Sequence, residues 1–95
     1  MMTIFHEIEL LLPKCRARLR IISFLSTVED ASLYELNSYC GIKITRKMLE
    51  EMVNQGFLTK TLVNRYKLNM ENEVIKELVR FFKKIKYNPF NSAQL

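Results

Sequence analysis

The sequence predicts a mainly α-helical fold that carries one small β-hairpin. Apolar residues recur at helical spacing in five stretches of the 95-residue chain, and turn or capping residues separate those stretches. A further stretch, FLTKTLVNRYKLN, is rich in Thr, Val, Tyr and Leu and has an asparagine near its middle, which is typical of a tight two-stranded hairpin. The length suits one domain, placed at residues 1–87, with 88–95 expected to be a flexible tail.

The first two helices are expected over residues 3–12 and 14–27. Thr3 can cap the first, and Pro13 either ends it or opens the second at its first position. The apolar face of the first helix comprises Ile4, Phe5, Ile8, Leu11 and Leu12. The second helix has an apolar side of Leu19, Ile21, Ile22, Phe24, Leu25 and Val28 and a polar side of Arg16, Arg20, Ser23 and Thr27.

Two shorter helices follow the acidic break VEDA. Ser32 and Glu35 have the spacing of a capping box, which predicts a helix over residues 33–40, and Gly41 suits the left-handed position that ends it. The next helix is expected at about 44–55 because its apolar residues again fall on one face. Its expected core residues are Met48, Leu49, Met52 and Val53.

The hairpin is expected over residues 57–69 and the last helix over 71–87. In the second strand Tyr66 and Leu68 alternate with basic residues, so we assign both tyrosine and leucine inward. Asn-Pro ends the last helix. The apolar stripe of that helix has near-heptad spacing and is formed by Val74, Leu78, Phe81 and Ile85, flanked by Ile75, Val79 and Phe82.

Several classes of protein are disfavoured by the composition. No apolar run approaches the roughly 18 residues that span a bilayer, and the first residues lack the features of a signal peptide, so we expect an intracellular, cytoplasmic protein (host cytoplasm for a viral one) without a membrane partner. Cys15 and Cys40 are isolated and His6 is the only histidine, so no metal is expected and both cysteines are interpreted as small buried hydrophobes. With no catalytic set and no glycine-rich phosphate loop, we expect neither an enzyme nor a cofactor.

Four segments, RLRIISFL, SLYELNSYCGI, TRKMLEEMVNQGFL and RYKLN, together resemble a winged helix-turn-helix domain of the ArsR/MarR-like superfamily, of a small archaeal or viral type. The resemblance implies a winged-helix core at 14–69 with an extra helix at each end. It also implies a recognition helix at about 44–55 in the DNA major groove and a wing at 57–69. The wing lacks the usual glycine-rich tip, which argues against minor-groove reading, and the metal-sensing cysteine and histidine motifs are absent. DNA binding, and not metal sensing, is therefore implied.

The order of charges along the helices also favours a polyanionic partner. The net charge is +5, and no Asp or Glu occurs between Met52 and Met70. Helices prefer anions at their N-termini, by about 0.3–1 kcal/mol for each exposed charge, and three of the five expected helices follow this rule. The second and fourth helices begin with cations instead, which would add to the attraction of a helix N-terminus for phosphate. With fifteen Lys and Arg, two such starts can also arise by chance, and exposed charge usually serves solvation.

The candidate DNA contacts follow from these basic segments. The start of the fourth helix is expected to reach the groove or the phosphates, the second helix to touch flanking phosphates, and the hairpin to contact phosphate rather than bases. Thr45 either caps its helix or touches phosphate, and capping is favoured. The candidates are Lys43, Thr45, Arg46, Lys47, Arg16, Arg20, Lys60, Arg65 and Lys67.

The terminal helices carry wide apolar stripes that predict a homodimer. A two-fold axis would bury both stripes and set two recognition helices at a fixed separation, as a palindromic site requires. The alternative is that the two helices pack on each other within one chain. The expected interface residues are Ile4, Phe5, Ile8, Leu11, Leu12, Val74, Leu78, Phe81, Phe82 and Ile85.

These expectations describe a sequence-specific, double-stranded DNA-binding transcriptional regulator that acts as a homodimer. Two alternatives stay open from the sequence. One is a winged-helix protein-interaction subunit of a transcription or replication assembly, in which the basic helix starts meet an acidic partner. The other is a low-specificity, chromatin-like DNA binder, for which random DNA would compete as well as any particular site.

Overall fold

The most heavily buried helix is the second one, because other helices cover it on more than one side. In the computed structural model, which describes residues 4–85, the chain is mainly helical with one two-stranded antiparallel hairpin, as predicted, and the layout is compatible with a winged helix. The elements are α1 (Ile4–Leu11), a 3-10 turn (Pro13–Cys15), α2 (Arg16–Leu25), α3 (Leu33–Cys40), α4 (Arg46–Asn54), β1 (Leu58–Lys60), β2 (Tyr66–Leu68) and α5 (Glu73–Lys84).

Helix α2 departs from its prediction in its start and in its polar side. Pro13 opens a 3-10 turn rather than the α-helix itself, so the expected single helix over 14–27 is divided. Leu19, Ile22 and Leu25 are buried as expected. Ser23, assigned to the outer side, is buried as well, because α2 packs against both α3 and α5. A helix that packs against two others exposes only a narrow part of its surface to solvent.

Helix α3 begins and ends where its local sequence signals predict. The capping box is present, since the Ser32 hydroxyl accepts from the Glu35 amide at 3.2 Å and the Glu35 carboxylate accepts from the Ser32 amide at 2.9 Å. Gly41 ends the helix in the left-handed region at φ 68°. This conformation strains residues that have a Cβ, which is why a glycine suits the position.

The hairpin pairs Leu58 with Leu68 and Lys60 with Tyr66. Tyr66 and Leu68 point into the core, as predicted from their alternation. Ala31 forms a further bridge to β2, with its amide 2.9 Å from the Tyr66 carbonyl and its carbonyl 2.8 Å from the Tyr66 amide. The entry to α3 thus lies against the hairpin like a third, single-residue strand.

Helix α5 is tied to the end of α4 through the carbonyl of Gly56. The side-chain amides of Asn69 and Asn72 both donate to this oxygen, at 2.8 and 3.0 Å. Asn72 also caps α5, accepting from the amides of Val74 and Ile75. The N-terminus of α5 therefore lies beside the C-terminal end of α4.

Helix α5 is shorter at its start than the predicted span 71–87, and one of its interface assignments is wrong. Phe82 is only 3% exposed and belongs to the core of its own chain with Ile75 and Val79, so it is not available to a second copy. The predicted helix end beyond residue 85, the tail 88–95 and the Thr3 cap all lie outside the described residues.

A buried ion pair joins α1 to the rest of the fold. The Glu9 side chain is 7% exposed, and the Arg20 guanidinium donates hydrogen bonds to its two carboxylate oxygens at 2.8 and 3.1 Å. The Arg16 guanidinium lies 3.4 Å from the same carboxylate. Arg20 also donates to the carbonyl of Cys40 at the end of α3, at 2.9 Å. The prediction that Arg20 contacts phosphate is therefore corrected, because its guanidinium connects three helices inside the protein.

Replacing Arg20 should destabilise the fold far more than replacing an arginine in an exposed pair. Arg20→Met leaves the buried Glu9 carboxylate without its main partner, and we expect a loss of about 3 kcal/mol in the free energy of unfolding, measured by urea titration. The matched control is Arg80→Met, since Arg80 pairs with Glu77 at 3.3 Å on the surface. Its cost should stay below about 1 kcal/mol. Equal losses in the two variants would contradict the structural role of Arg20.

Candidate nucleic-acid interface

The turn between α3 and α4 is held by the side chain of Asn37. Its amide oxygen accepts from the Ile44 amide at 2.7 Å, and its nitrogen donates to the Ile44 carbonyl at 2.9 Å and to the Leu33 carbonyl at 3.2 Å. Ile44 is itself buried. This clamp sets the direction in which α4 leaves the turn. Sequence reasoning missed Asn37, because an asparagine inside a short helix does not reveal which distant backbone it will meet.

Helix α4 begins at Arg46 with Thr45 as its cap. The Thr45 hydroxyl accepts from the Met48 amide at 3.1 Å, so the favoured capping role is confirmed. No acidic residue stands in the first turn of α4. Around this helix start Lys43, Arg46 and Lys47 are all exposed.

The two glutamates in the middle of α4 are each matched by a cation from another element. The Glu50 carboxylate accepts a 2.8 Å hydrogen bond from the Tyr66 hydroxyl and lies 3.2 Å from the Lys60 ammonium of β1. Glu51 lies 3.2 Å from the Arg18 guanidinium, which also donates to Gln55 at 2.7 Å. Each acid therefore has a cation from another element beside it. Arg46 of the first turn also contributes to lowering the pKa of Glu50, so part of its charge is balanced within α4.

The contact between Tyr66 and Glu50 shifts the proton affinity of both groups. The hydrogen bond from Tyr66 is the main cause that lowers the pKa of Glu50 below its ordinary 4.5, with Lys60 contributing further. Burial, and then Glu50, raise the pKa of Tyr66, while the nearby Arg46 side chain acts in the opposite direction. At neutral pH the Tyr66 hydroxyl is thus protonated and donates a hydrogen bond to Glu50. Arg46 lies close enough to the Tyr66 hydroxyl to interact with it.

Arg65 is engaged within the protein rather than presented on the wing. Its guanidinium lies 2.7 Å from the Asp30 carboxylate and 2.7 Å from that of Glu35, and these contacts raise its pKa. They fasten the hairpin to the start of α3. The prediction of Arg65 as a phosphate contact is corrected for this reason.

The remaining predicted cations do not all gather at the start of α4. Lys60 does approach α4, through Glu50. Lys67 is exposed on the face of β2 opposite to Tyr66, beside a groove that Glu29 and Lys83 also line. Arg16 stays with Glu9 near α1.

The basic start of α2 is directed toward the far end of α4. Arg18, in the first turn of α2, contacts Glu51 and Gln55, which lie in the second half of α4 and just past its end. The expectation that the second helix touches phosphates flanking the α4 contact is therefore not supported by the position of Arg18. Arg16 remains a half-exposed candidate outside the cluster at α4.

The cysteines differ from each other in the structure. Cys40 is buried, as interpreted from the sequence, and burial raises the pKa of its thiol to about 11, so it stays protonated and unreactive. Cys15 is exposed, which corrects the interpretation of both as buried hydrophobes, because it sits in the 3-10 turn rather than on the apolar side of a helix. Across residues 4–85, no three His, Cys, Asp or Glu side chains lie close enough together to hold a metal ion.

The expected dimer residues fall into distinct environments. Val74 and Phe81 on α5 and Leu11 and Leu12 near the end of α1 are exposed. Three others pack partly against the core of the same chain, namely Ile8, Leu78 and Ile85. The side chains of Ile4 and Phe5 lie outside the described part of the structure.

Comparisons of the chain with protein-family models, with curated proteins and with solved structures found no match. Among the helices within residues 4–85, none is both long enough and apolar enough to cross a lipid bilayer. Any function proposed for the chain therefore rests on the geometry of its own residues.

The lowered pKa of Glu50 predicts a contribution to stability that depends on pH. A carboxyl with a lower pKa in the folded state stabilises the fold above its unfolded pKa of about 4.5, and this stabilisation is lost as pH falls through the folded value. Tyr66→Phe removes the main cause of the shift. We therefore expect a smaller loss of melting temperature between about pH 7 and about pH 3 than in the wild type. The control is Tyr34→Phe, at an exposed tyrosine, and an identical acid response in all three proteins would contradict the assignment.

Proposed function

We propose that this chain is a winged-helix protein that binds double-stranded DNA through the N-terminal end of α4 and regulates transcription as a homodimer. One observation carries the proposal. Lys43, Arg46 and Lys47 surround a helix start that has no acidic residue in its first turn, and the acids further along α4 are matched by cations from β1 and α2. Within residues 4–85, neither Lys43 nor Lys47 forms an ion pair with a carboxylate.

The order of the elements supports the assignment of α4 as the recognition helix. Helices α3 and α4 are joined by a short turn that Asn37 clamps, and a hairpin follows directly. The bridge from Ala31 to β2 adds the short third strand that a winged helix places beside its wing. A recognition helix of this kind lies in the major groove and offers its N-terminal residues to base edges.

The electrostatics at this end of α4 suit a phosphate backbone. The first amide groups of a helix have no partner within the helix, and the aligned peptide dipoles place partial positive charge there. Lys43 and Lys47 add full charges, and Arg46 can pair in bidentate fashion with phosphate or with guanine. Glu50 and Glu51 mark the point along the helix beyond which close approach of phosphate becomes unfavourable.

Binding to a fluorescently labelled duplex should therefore depend steeply on salt. Removing one cation that neutralises a phosphate should reduce the slope of log affinity against log salt by about 0.9, since fewer counterions are released. Arg46→Ala/Lys47→Ala should accordingly weaken binding severalfold and flatten the slope by up to about 2. The measurement is a fluorescence anisotropy titration at several salt concentrations.

The matched control removes two cations from the outer side of α5. Lys76→Ala/Arg80→Ala makes the same change in net charge away from α4 and from the basic last turn of α5, and it should leave the slope nearly unchanged. Equal effects of the two double variants would point to non-specific attraction, and an absence of binding at low salt would contradict the proposal as a whole. Competition with random duplex DNA then separates a site-specific regulator from a chromatin-like binder.

The second part of the proposal is that α5 pairs with α5 of a second copy. Val74, Leu78 and Phe81 line a shallow apolar groove on α5, bordered by Glu73 and Glu77. The last turn is basic, with Lys83 and Lys84. An antiparallel two-fold pairing sets the acidic end of each helix against the basic end of the other, so the apolar seam and the flanking charges are both complementary. Because α5 starts beside the C-terminal end of α4, this seam leaves the cations at the other end of α4 uncovered.

Val74→Lys should convert the dimer to a monomer because it places a charge in the apolar seam. Val74 is exposed in the single chain, so the fold itself should tolerate the change. Light scattering measures the mass, and Met70→Lys, at an exposed apolar residue preceding α5, is the control. A monomeric wild type would contradict the pairing, and monomers produced by Leu11→Lys alone would place the interface on α1 instead.

The alternative of a protein-interaction subunit has one observation in its favour. Tyr34 and Tyr39 on α3 are exposed, and Tyr39 stacks on Phe24 with 5.3 Å between ring centroids. Aromatic residues are enriched in protein interfaces. The duplex titration separates the two functions near physiological salt. There the non-specific attraction of a protein dedicated to an acidic protein partner is weak, whereas site-specific DNA binding is retained.

A further inference from the structure

The carboxylate of Glu50 is bound to the hairpin through one of its two oxygens. The Tyr66 hydroxyl donates to Oε2 at 2.8 Å, and the Lys60 ammonium lies 3.2 Å from the same atom. Within residues 4–85 no hydrogen bond is formed to the other oxygen, Oε1. An ionised carboxylate can accept about four hydrogen bonds. The contacts that attach the hairpin to α4 therefore leave Glu50 with an acceptor that they do not use.

The position of this acceptor is fixed by the core of the protein. The Tyr66 side chain is only 1% exposed, so its hydroxyl cannot move without disturbing the packing around the ring. The Glu50 side chain is itself 39% exposed, which leaves it accessible to a partner. A group that is already oriented before binding loses less conformational entropy on binding than a mobile one. Glu50 thus offers a partner an oriented hydrogen-bond acceptor.

Glu50 lies on the same side of α4 as Arg46. Residues four positions apart are neighbours on a helix surface, and Arg46 is near enough to contribute to lowering the pKa of Glu50. Their separation along the helix axis is about 6 Å, and base pairs of DNA are stacked at about 3.4 Å. A hydrogen-bond donor that meets Glu50 therefore lies within about two base pairs of the group that Arg46 contacts.

The chemistry of a carboxylate limits what Glu50 can contact in a duplex. An ionised carboxylate only accepts hydrogen bonds, and it repels phosphate. In the major groove the donors are the amino groups of cytosine and adenine, and adenine presents its N7 acceptor beside that donor. Glutamate therefore suits the N4 amino group of cytosine, whereas glutamine, which both donates and accepts, suits adenine.

We propose that Glu50 is a specificity-determining residue and that its Oε1 atom accepts a hydrogen bond from the N4 amino group of one cytosine in the major groove. The inference rests on the DNA binding proposed above. Lys60 and Arg46, beside the carboxylate, reduce its repulsion of the phosphates. The DNA site should contain a cytosine within about two base pairs of the Arg46 contact. Any other base there should weaken binding about fivefold or more.

The test selects tightly bound duplexes from a library with randomised central base pairs, in parallel for the wild type and for Glu50→Gln. The wild type should enrich cytosine at one position. Glu50→Gln should change that position to adenine and retain the rest of the selected sequence. A purely structural role of Glu50 would instead lower the affinity for all duplexes and leave the selected bases unchanged.

Tyr66→Phe provides a second variant that keeps the glutamate. It removes the hydrogen bond that orients Glu50, so the preference for cytosine should weaken without a change to adenine. Anisotropy titrations of the selected duplex, and of the same duplex with that base pair replaced, measure the ratio of affinities for each protein. Melting temperatures at about pH 7 check that both variants are folded.

The matched control is Glu51→Gln, which removes the same charge from the next position of α4, about 100° around the helix. Glu51 contacts Arg18 of α2, and its replacement should leave the selected sequence that of the wild type. Unchanged bases in the Glu50→Gln selection would overturn the inference and leave the DNA-binding proposal intact. Wild-type binding with a steep salt slope but no enriched sequence would also overturn the inference. No binding at low salt would overturn both.

Discussion

The side chain and backbone of Tyr66 hold the hairpin, α3 and α4 together. Its backbone pairs with Lys60 in the hairpin and with Ala31 at the entry to α3, and its buried ring reaches the core. Its hydroxyl then donates to Glu50 on α4. Through this one residue, the hairpin, α3 and α4 are fixed relative to one another, so the start of α4 is held in one orientation.

The internal ion pairs decide which cations are available to a partner. Arg20 is held by Glu9, Arg65 by Asp30 and Glu35, and these arginines join elements of the fold. The net charge of +5 is consequently a poor guide to function. Lys43 and Lys47, which are exposed and have no carboxylate partner among residues 4–85, are a better one, since they can neutralise a polyanion without first breaking a contact in the protein.

The layout separates the two surfaces to which the proposals assign partners. The candidate cations surround the start of α4, whereas α5 begins beside Gly56, past the other end of α4. Its apolar stripe around Val74 can therefore be covered by a second copy without blocking the basic end. An arrangement of this kind permits two basic ends to be presented at a fixed separation, as a two-fold symmetric DNA site requires.

Features that depend on neighbours within about four residues could be predicted from residue types and spacing. These are the capping box at Ser32, the left-handed Gly41, the Thr45 cap and the inward alternation of Tyr66, and each follows from local backbone geometry. The availability of each candidate side chain could not be predicted in this way, since a charge or an apolar group takes its role from residues far away in the chain. Arg20 and Phe82 carry the same chemistry as the candidates that stayed exposed, and packing against distant elements withdrew both of them from the surface.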